Sequence, residues 1–101
     1  MEKNVGTELA VNNISVELNP FVEEFLTRTV MGAVSSLKGA ENVRDLELYL
    51  EGDHVKLVVD GNELPLTPFP RNIITSTITG LVSSLKGVDK IDNLKINIKV
   101  Q

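Results

Sequence analysis

The chain of 101 residues contains no cysteine and no tryptophan, and it has only one tyrosine, three phenylalanines and one histidine. Without cysteine there are no disulfides, no thiolate metal ligands and no cysteine nucleophiles, and the composition is compatible with a reducing compartment. Aromatic platforms on which bases or sugars could stack are scarce. These absences remove several classes of binding site and of enzyme before any motif is considered.

An excess of positive charge and a long hydrophobic run are also missing. The 10 basic residues are outnumbered by 14 acidic ones, which gives a formal net charge of −4. Because nucleic-acid binding depends largely on phosphate neutralisation by clustered Lys and Arg, we expect no nucleic-acid partner. No run approaches the ~18 apolar residues of a membrane span, and the N-terminal residues show no signal-peptide pattern. We therefore expect a cytoplasmic protein without a membrane partner.

The sequence does contain an internal repeat with an offset of 48 residues. The segment VSSLKG at residues 34–39 returns at residues 82–87, and 13 of the 33 positions from 18 to 50 are identical in 66–98. The length predicts a single domain, made of two repeats at about residues 7–51 and 55–101. One such repeat would be only marginally stable alone, so a fused ancestral dimer is a natural origin for the chain.

Each repeat begins with a predicted hairpin. The first hairpin joins strands at residues 8–11 and 14–18 through a turn of two asparagines, which tolerate positive φ. In the second repeat, a strand at residues 55–59 is followed by a turn and by a short edge segment at 64–66, whose proline cannot donate a ladder hydrogen bond. The two hairpins therefore predict short strands at the edges of a sheet.

A helix follows each hairpin. Asn19 followed by Pro20 is a start signal, because asparagine caps free amides and proline fits the first turn; Thr67 followed by Pro68 repeats it. Lys38 and Gly39 mark the end of the first helix, predicted over residues 20–38. Apolar residues recur at three-to-four spacing in both helices, which predicts one buried face on each. The predicted buried positions are Val22, Phe25, Leu26, Val30, Ala33, Val34, Leu37, Ile74, Ile78, Leu81 and Leu85.

Each repeat ends in a strand of strict apolar–polar alternation, at residues 43–50 and 92–101. We therefore predict an α+β fold in which two tandem hairpin–helix–strand repeats form one mixed, largely antiparallel sheet with both helices on one face. A tight turn after Leu50 should make the two repeats meet as a hairpin. The element order resembles a ferredoxin-like plait, an analogy that carries no functional motif. The strand order stays open.

The first candidate site is a stripe of small residues at spacing i, i+3, i+7 that occurs in both helices. Its members are Thr29, Gly32, Ser36, Thr77, Gly80 and Ser84. Because glycine inside a helix costs about 1 kcal/mol relative to alanine, its double occurrence suggests a packing reason. The favoured interpretation is a close crossing of the two helices, with Gly32 against Gly80, so that Gly80→Leu would overpack the fold. The alternatives are contact with another protomer and a ligand between the helices.

Two further patterns are weak as chemistry. The Ser-Ser pairs at the helix C-termini do not suit phosphate, which prefers helix N-termini, and they are interpreted as caps with a polar edge. The turn at residues 51–54 contains the only histidine, His54, beside two carboxylates, but neighbouring turn positions rarely converge on one metal ion. The segment at 60–63 lacks the acidic positions of a calcium loop. We predict no metal site, no cofactor and no catalytic residues.

The last candidate is charge on the face of the sheet away from the helices. Asp45, Glu47, Glu51 and Tyr49 point outward from one strand, and Lys95 and Lys99 from its counterpart. If the two strands are neighbours, the opposite charges stabilise each other by a few tenths of a kcal/mol per pair. If they are not, the face is acidic at one edge and basic at the other, which would suit self-association or a protein partner.

No constellation in the sequence resembles a catalytic site, and we expect no enzyme. The leading hypothesis is a small structural or protein-interaction module, which is a homo-oligomer or a subunit of a complex. The alternative is a small-molecule-binding domain with a pocket between the helices and the sheet, which a continuous void larger than about 300 Å³ would favour and a filled core would exclude.

Overall fold

The protein is described here by a computed structural model, which covers residues 5–37, 43–52, 54–85, 88 and 90–100. These residues form six strands and two helices. In chain order the elements are β1 (Val5–Val11), β2 (Ile14–Val16), α1 (Pro20–Ser35), β3 (Asp45–Glu51), β4 (His54–Val59), β5 (Asn62–Glu63), α2 (Pro68–Ser83) and β6 (Asn93–Val100). The two helices start and end 48 residues apart, as the sequence offset requires.

All six strands form one antiparallel sheet in the order β2-β1-β6-β3-β4-β5. The predicted α+β class is confirmed, and the ladders are antiparallel throughout. The last strand of each half lies at the centre, where Leu48 pairs with Ile96, its own counterpart at the offset of 48. Helix α1 lies in the connection from β2 to β3 and α2 in the connection from β5 to β6, and in each case two other strands of the sheet lie between the connected strands. The ferredoxin-like plait remains an analogy of element order.

The helix starts are confirmed and their ends are earlier than predicted. The side chain of Asn19 accepts a hydrogen bond from the Val22 amide at 2.8 Å, whereas Thr67 makes no such bond. Helix α1 ends at Ser35, and the predicted end signals Lys38 and Gly39 lie outside the described residues. Among the described residues, no helix is long and apolar enough to cross a membrane.

The core fills the space between the helices and one face of the sheet. The alternating strand residues that were predicted to face inward do so, and they meet one buried stripe from each helix. The buried apolar residues are Leu9, Val11, Leu26, Val30, Val34, Leu46, Leu48, Leu50, Leu57, Val59, Ile74, Ile78, Val82, Leu94, Ile96 and Ile98. Branched aliphatic side chains of this kind pack at high density.

Two details of the prediction are wrong. Phe25 does not widen the buried stripe of α1 but is 50% exposed, because it lies about 140° around the helix from Val30. The short strand of the second hairpin is Asn62–Glu63 and not 64–66. The turn before it has only two residues, Asp60 and Gly61, both with positive φ, so the pairing begins earlier and Pro65 lies outside the strand.

A polar clamp recurs in both hairpin turns. The side-chain oxygen of Asn12 accepts hydrogen bonds from the amides of Asp92 and Asn93 at 2.7 and 3.0 Å. At the equivalent position of the second half, Asp60 Oδ1 accepts from the amides of Arg44 and Asp45 at 3.0 and 2.8 Å. Each clamp ties the hairpin of one half to the start of the final strand of the other. The two halves are therefore interleaved.

Candidate interaction surfaces

Helix α1 exposes two aromatic rings on the side away from the sheet. Phe21 is 73% exposed and Phe25 is 50% exposed. Their ring centroids lie 5.9 Å apart with an interplanar angle of 73°, which is the favourable edge-to-face geometry. An isolated exposed apolar residue needs no explanation, but here two of the chain's three phenylalanines are in contact on one exposed surface.

A charged pair borders these rings. Glu24 and Arg28 lie one turn apart and their side chains approach to 2.7 Å while both remain largely exposed. An exposed pair of this kind contributes little to stability. Together with the two rings and Thr29 it surrounds a shallow depression of about 510 Å³. The surface therefore combines apolar area with one charge of each sign.

The predicted close crossing of the helices at Gly32 and Gly80 is wrong. Both glycines are exposed, and a methyl group added at either position would meet no atom within 4 Å. The small residues lie on one face of each helix, as predicted, but that face points outward. Gly32 and Gly80 therefore do not pack the two helices against each other.

The remaining stripe residues lie on the same outward surface. Ser36, Thr77 and Ser84 are exposed and Thr29 is half-buried. In α1 the stripe continues the aromatic pair at helical spacing, and we call Phe21, Phe25, Thr29, Gly32 and Ser36 the α1 outer face. Its counterpart in α2 carries Ile73, which is 47% exposed. The sequence signal missed here was Phe21 and Phe25 themselves, which continue the stripe toward the N-terminus of the helix.

The serine pairs close the helices. The hydroxyls of Ser35 and Ser36 donate to carbonyl oxygens of Gly32 and Ala33 at 3.2 and 2.7 Å, and Ser83 donates to Gly80 at 3.1 Å. This local bonding is what the cap interpretation predicted. The following Lys86 and Gly87 lie outside the described residues.

The turns offer no metal site within the described part of the chain. There, no group of three or more His, Asp or Glu side chains converges. Glu51 and His54 are opposite each other at the ends of β3 and β4, and Asp53 lies outside the described residues. In the other turn, the carboxylate of Asp60 already accepts two backbone amides.

The charged residues on the open face of the sheet belong to neighbouring strands. Asp45 is opposite Lys99 and Glu47 is opposite Asn97 across the β3–β6 ladder. Asp45 therefore has an opposite charge directly across the ladder, whereas Glu47 faces a neutral amide. The alternative, in which these two strands polarise the face, is excluded by the strand order.

Tyr49 occupies the middle of this face, with Lys95 opposite on β6 and Lys56 opposite on β4. The Lys95 ammonium lies 5.2 Å from the centre of the Tyr49 ring, within the range of a cation–π contact. The pKa of Lys95 is raised, first by hydrogen bonding to the Tyr49 hydroxyl and by its charge, and to a smaller extent by Glu47 and Glu8. This arrangement holds a surface lysine in place and carries no catalytic geometry.

The two edges of the sheet are only partly covered. Strand β2 pairs with residues 9–11 of β1, and the Thr7 amide donates instead to the carboxylate of Glu23 at 3.2 Å. The Thr7 hydroxyl contacts that of Thr27. At the other edge, β5 pairs only with Val58 and Val59.

Charges at these two edges are reversed between the halves. Glu8 on β1 corresponds to Lys56 on β4, and Glu23 at the start of α1 corresponds to Arg71 at the start of α2. The β1 edge is therefore acidic at the positions where the β4 edge is basic. The sequence drew attention only to the different charges of the two central strands. The reversal between β1 and β4 becomes apparent only when the structure places both strands near the edges of the sheet.

A cleft of about 420 Å³ opens beside β1. It is lined by residues of β1, including Glu8, by residues of β2, and by Leu18, Glu23, Lys95 and Asn97. The side-chain oxygen of Asn97 is buried and has no hydrogen-bond partner among the described residues. The cleft lies beside β1 near the sheet edge, with Glu23 of α1 in its lining.

Comparisons with known proteins gave no lead to function: no protein-family model, no curated protein and no solved structure matches this chain.

Proposed function

We propose that this chain is a small protein-interaction module without catalytic activity of its own, and that it binds a second copy of itself through the α1 outer face. The observation that carries the proposal is the edge-to-face pair of Phe21 and Phe25, exposed on a helix whose opposite side is fully used by the core. An exposed aromatic pair costs nothing in the fold and gains free energy only when a partner covers it.

The free energy gained by burying these two rings is sufficient for a dimer of modest affinity. Burying a phenylalanine side chain contributes about 1.5–3 kcal/mol, and a two-fold dimer would bury two from each copy. Part of that gain offsets the loss of translational and rotational freedom on association. We therefore expect a reversible dimer, with a population that depends on concentration.

Charge and shape favour a second copy as the occupant. In a two-fold dimer of antiparallel α1 helices that cross near Leu26 and Thr27, Glu24 of each copy lies beside Arg28 of the other. The same crossing brings Phe21 of each copy over Gly32 of the other. The open space above Gly32 accommodates a ring there, so the surface is complementary to itself in both respects.

The experiment uses the two glycines as a matched pair. Gly32→Leu should fill the space that receives Phe21 and weaken the dimer at least about tenfold, since overpacking of a contact costs about 1–3 kcal/mol. Gly80→Leu makes the same change on α2 and should leave the dimer unchanged. Sedimentation equilibrium measures both, and circular dichroism checks that each variant folds. Equal effects of the two substitutions would refute the α1 outer face as the interface.

A small-molecule-binding domain is the second candidate, and the cleft beside β1 supports it. Its volume of about 420 Å³ is within the range of ligand sites, and it combines the Lys95 ammonium with the buried oxygen of Asn97. A ligand there would donate hydrogen bonds to the oxygens of Glu8, Glu23 and Asn97 and accept one from Lys95. Native mass spectrometry of the gently purified protein tests this, because a stoichiometric small adduct that Asn97→Leu abolishes would favour the second candidate over the first.

We also propose a cytoplasmic location, with which the absence of cysteine is compatible. Fluorescence of a tagged chain in intact cells tests it, since signal outside the cytoplasm would contradict it.

A further inference from the structure

We infer that copies of this chain also join edge to edge, with β1 of one copy pairing antiparallel with β4 of the next. This surface is separate from the α1 outer face and does not depend on the function proposed above. The inference rests on the backbone groups at the two edges that pair with no strand of the same copy, and on the reversed charges beside them. The partner is a second copy of the chain, presenting its other edge.

The amide and carbonyl groups that point to the outer edge of the sheet lie at equivalent positions of the two halves. On β1 the Asn12 amide bonds toward β6, so the alternate residues that include Thr7 direct their amide and carbonyl groups to the outer edge. On β4 the Leu57 carbonyl accepts from Leu64, which gives Val55 the same outward orientation. Among the described residues, no strand pairs with β1 beside Thr7 or with β4 beside Val55.

The contact between Thr7 and Glu23 marks the place of an incoming strand. The Glu23 carboxylate accepts the Thr7 amide at 3.2 Å, in the position that the carbonyl oxygen of a paired strand would occupy. A strand that arrives there replaces the carboxylate with its own carbonyl. Glu23 can then pair with the basic residue that lies beside the incoming β4 strand, which is Arg71 of the second copy.

The charges select the opposite edge as the partner. Two β1 edges would bring Glu8 and Glu23 of one copy against the same residues of another, and two β4 edges would bring Lys56 and Arg71 together in the same way. Like charges placed against each other suppress such pairings. Only the pairing of β1 with β4 brings acidic residues against basic ones on both sides of the sheet.

The covering strands β2 and β5 limit the overlap to about three residues on each side. With Thr7 opposite Val55, Glu8 lies opposite His54 and diagonal to Lys56, which is within reach of a long side chain. Each copy has one edge of each kind, so the contact is head-to-tail and does not close on two copies. The expected product is a short, open row of protomers that shortens as salt screens the charges.

The test uses two variants with complementary edges, both built on Phe21→Ser with Phe25→Ser so that the helix face cannot contribute. The first carries Glu8→Lys and Glu23→Arg, which makes both edges basic. The second carries Lys56→Glu and Arg71→Glu, which makes both edges acidic. A control carries a charge reversal of the same kind away from both edges, Asp92→Lys. Sedimentation velocity is measured on each protein and on mixtures, with circular dichroism to establish that each is folded.

We expect the parent protein, which carries only Phe21→Ser and Phe25→Ser, and the control to associate. Each edge variant alone should associate at least about tenfold more weakly. A mixture of the two edge variants should recover association. Recovery in the mixture also shows that both variants are folded. The inference is overturned if the mixture associates no better than its components, or if the parent remains a monomer. Neither outcome bears on the α1 outer face, which is absent from all of these proteins.

Discussion

The two halves of the molecule have helices with the same boundaries at an offset of 48 residues, yet they present different surfaces. The helix starts, the turn clamps of Asn12 and Asp60 and the aliphatic character of the core recur in both halves, and so does the exposed stripe with Gly32 and Gly80. The surfaces differ where Glu8 becomes Lys56 and Phe25 becomes Ile73. These exposed differences mark where the two halves can have different partners.

Substitutions at equivalent core positions should lower the free energy of unfolding equally. This is the largest effect that we expect. Leu48 and Ile96 face each other at the centre of the sheet and are fully buried. We expect Leu48→Ala and Ile96→Ala each to lower the free energy of unfolding by about 2–5 kcal/mol. Urea unfolding measures both changes. A cost below about 1 kcal/mol at one site would show that the two halves do not share the core equally.

The helix caps should contribute differently to the stability of the two halves. Asn19 caps α1 with its side chain at 2.8 Å, whereas Thr67 makes no side-chain cap at α2. We expect Asn19→Ala to cost about 1 kcal/mol and Thr67→Ala distinctly less. The comparison uses the midpoints of urea unfolding, and equal losses would mean that the second helix start is capped in solution as the first is.

The glycines of the two helices should respond alike in the folded monomer. Because a methyl group at Gly32 or Gly80 meets open space, alanine should stabilise each helix by about 0.5–1 kcal/mol. Thermal unfolding of dilute protein measures this. A loss of stability in either variant would restore the close helix crossing that the structure contradicts.

The smallest effect concerns the open face, where Tyr49 has only an asparagine counterpart in the other half. We expect Tyr49→Phe to lower the pKa of Lys95, because the Tyr49 hydroxyl is the main cause of its increase above 10.5. A raised lysine pKa stabilises the fold fully below the unfolded value, and this contribution is lost as the pH rises through the folded value. The stability difference between the proteins should therefore shrink above pH 10.5. NMR titration of Lys95 measures the pKa, and an unchanged value would contradict the contact.

Much of the fold follows from local patterns in the sequence. Alternation along β3 and β6 and the start signals at Asn19 and Pro68 act within a few residues, so they are readable without the tertiary structure. The two central strands could not be identified in this way, because strand order depends on how the helices cross the sheet. The end of α1 was also misjudged, since the VSSLKG segment continues the helical pattern beyond Ser35.

The candidate surfaces were less predictable than the fold. The small-residue stripe was recognised as a helix face, but glycine fits a close helix crossing and an open surface equally well. Only the position of α2 decides between them. Phe25 was assigned to the core because its side chain is apolar, although its angular position is that of an exposed residue. The charge reversal between Glu23 and Arg71 becomes meaningful only once both are placed beside open sheet edges.

Self-association is the central claim, and a concentration series of the unmodified chain tests it most directly. Sedimentation velocity from about 10 µM to about 1 mM covers the range expected for modest contacts. We predict that the average mass rises with concentration from the monomer mass of 11.1 kDa through the dimer, and that added salt reduces the larger species. A single species at the monomer mass over the whole range, at low salt, would contradict the account.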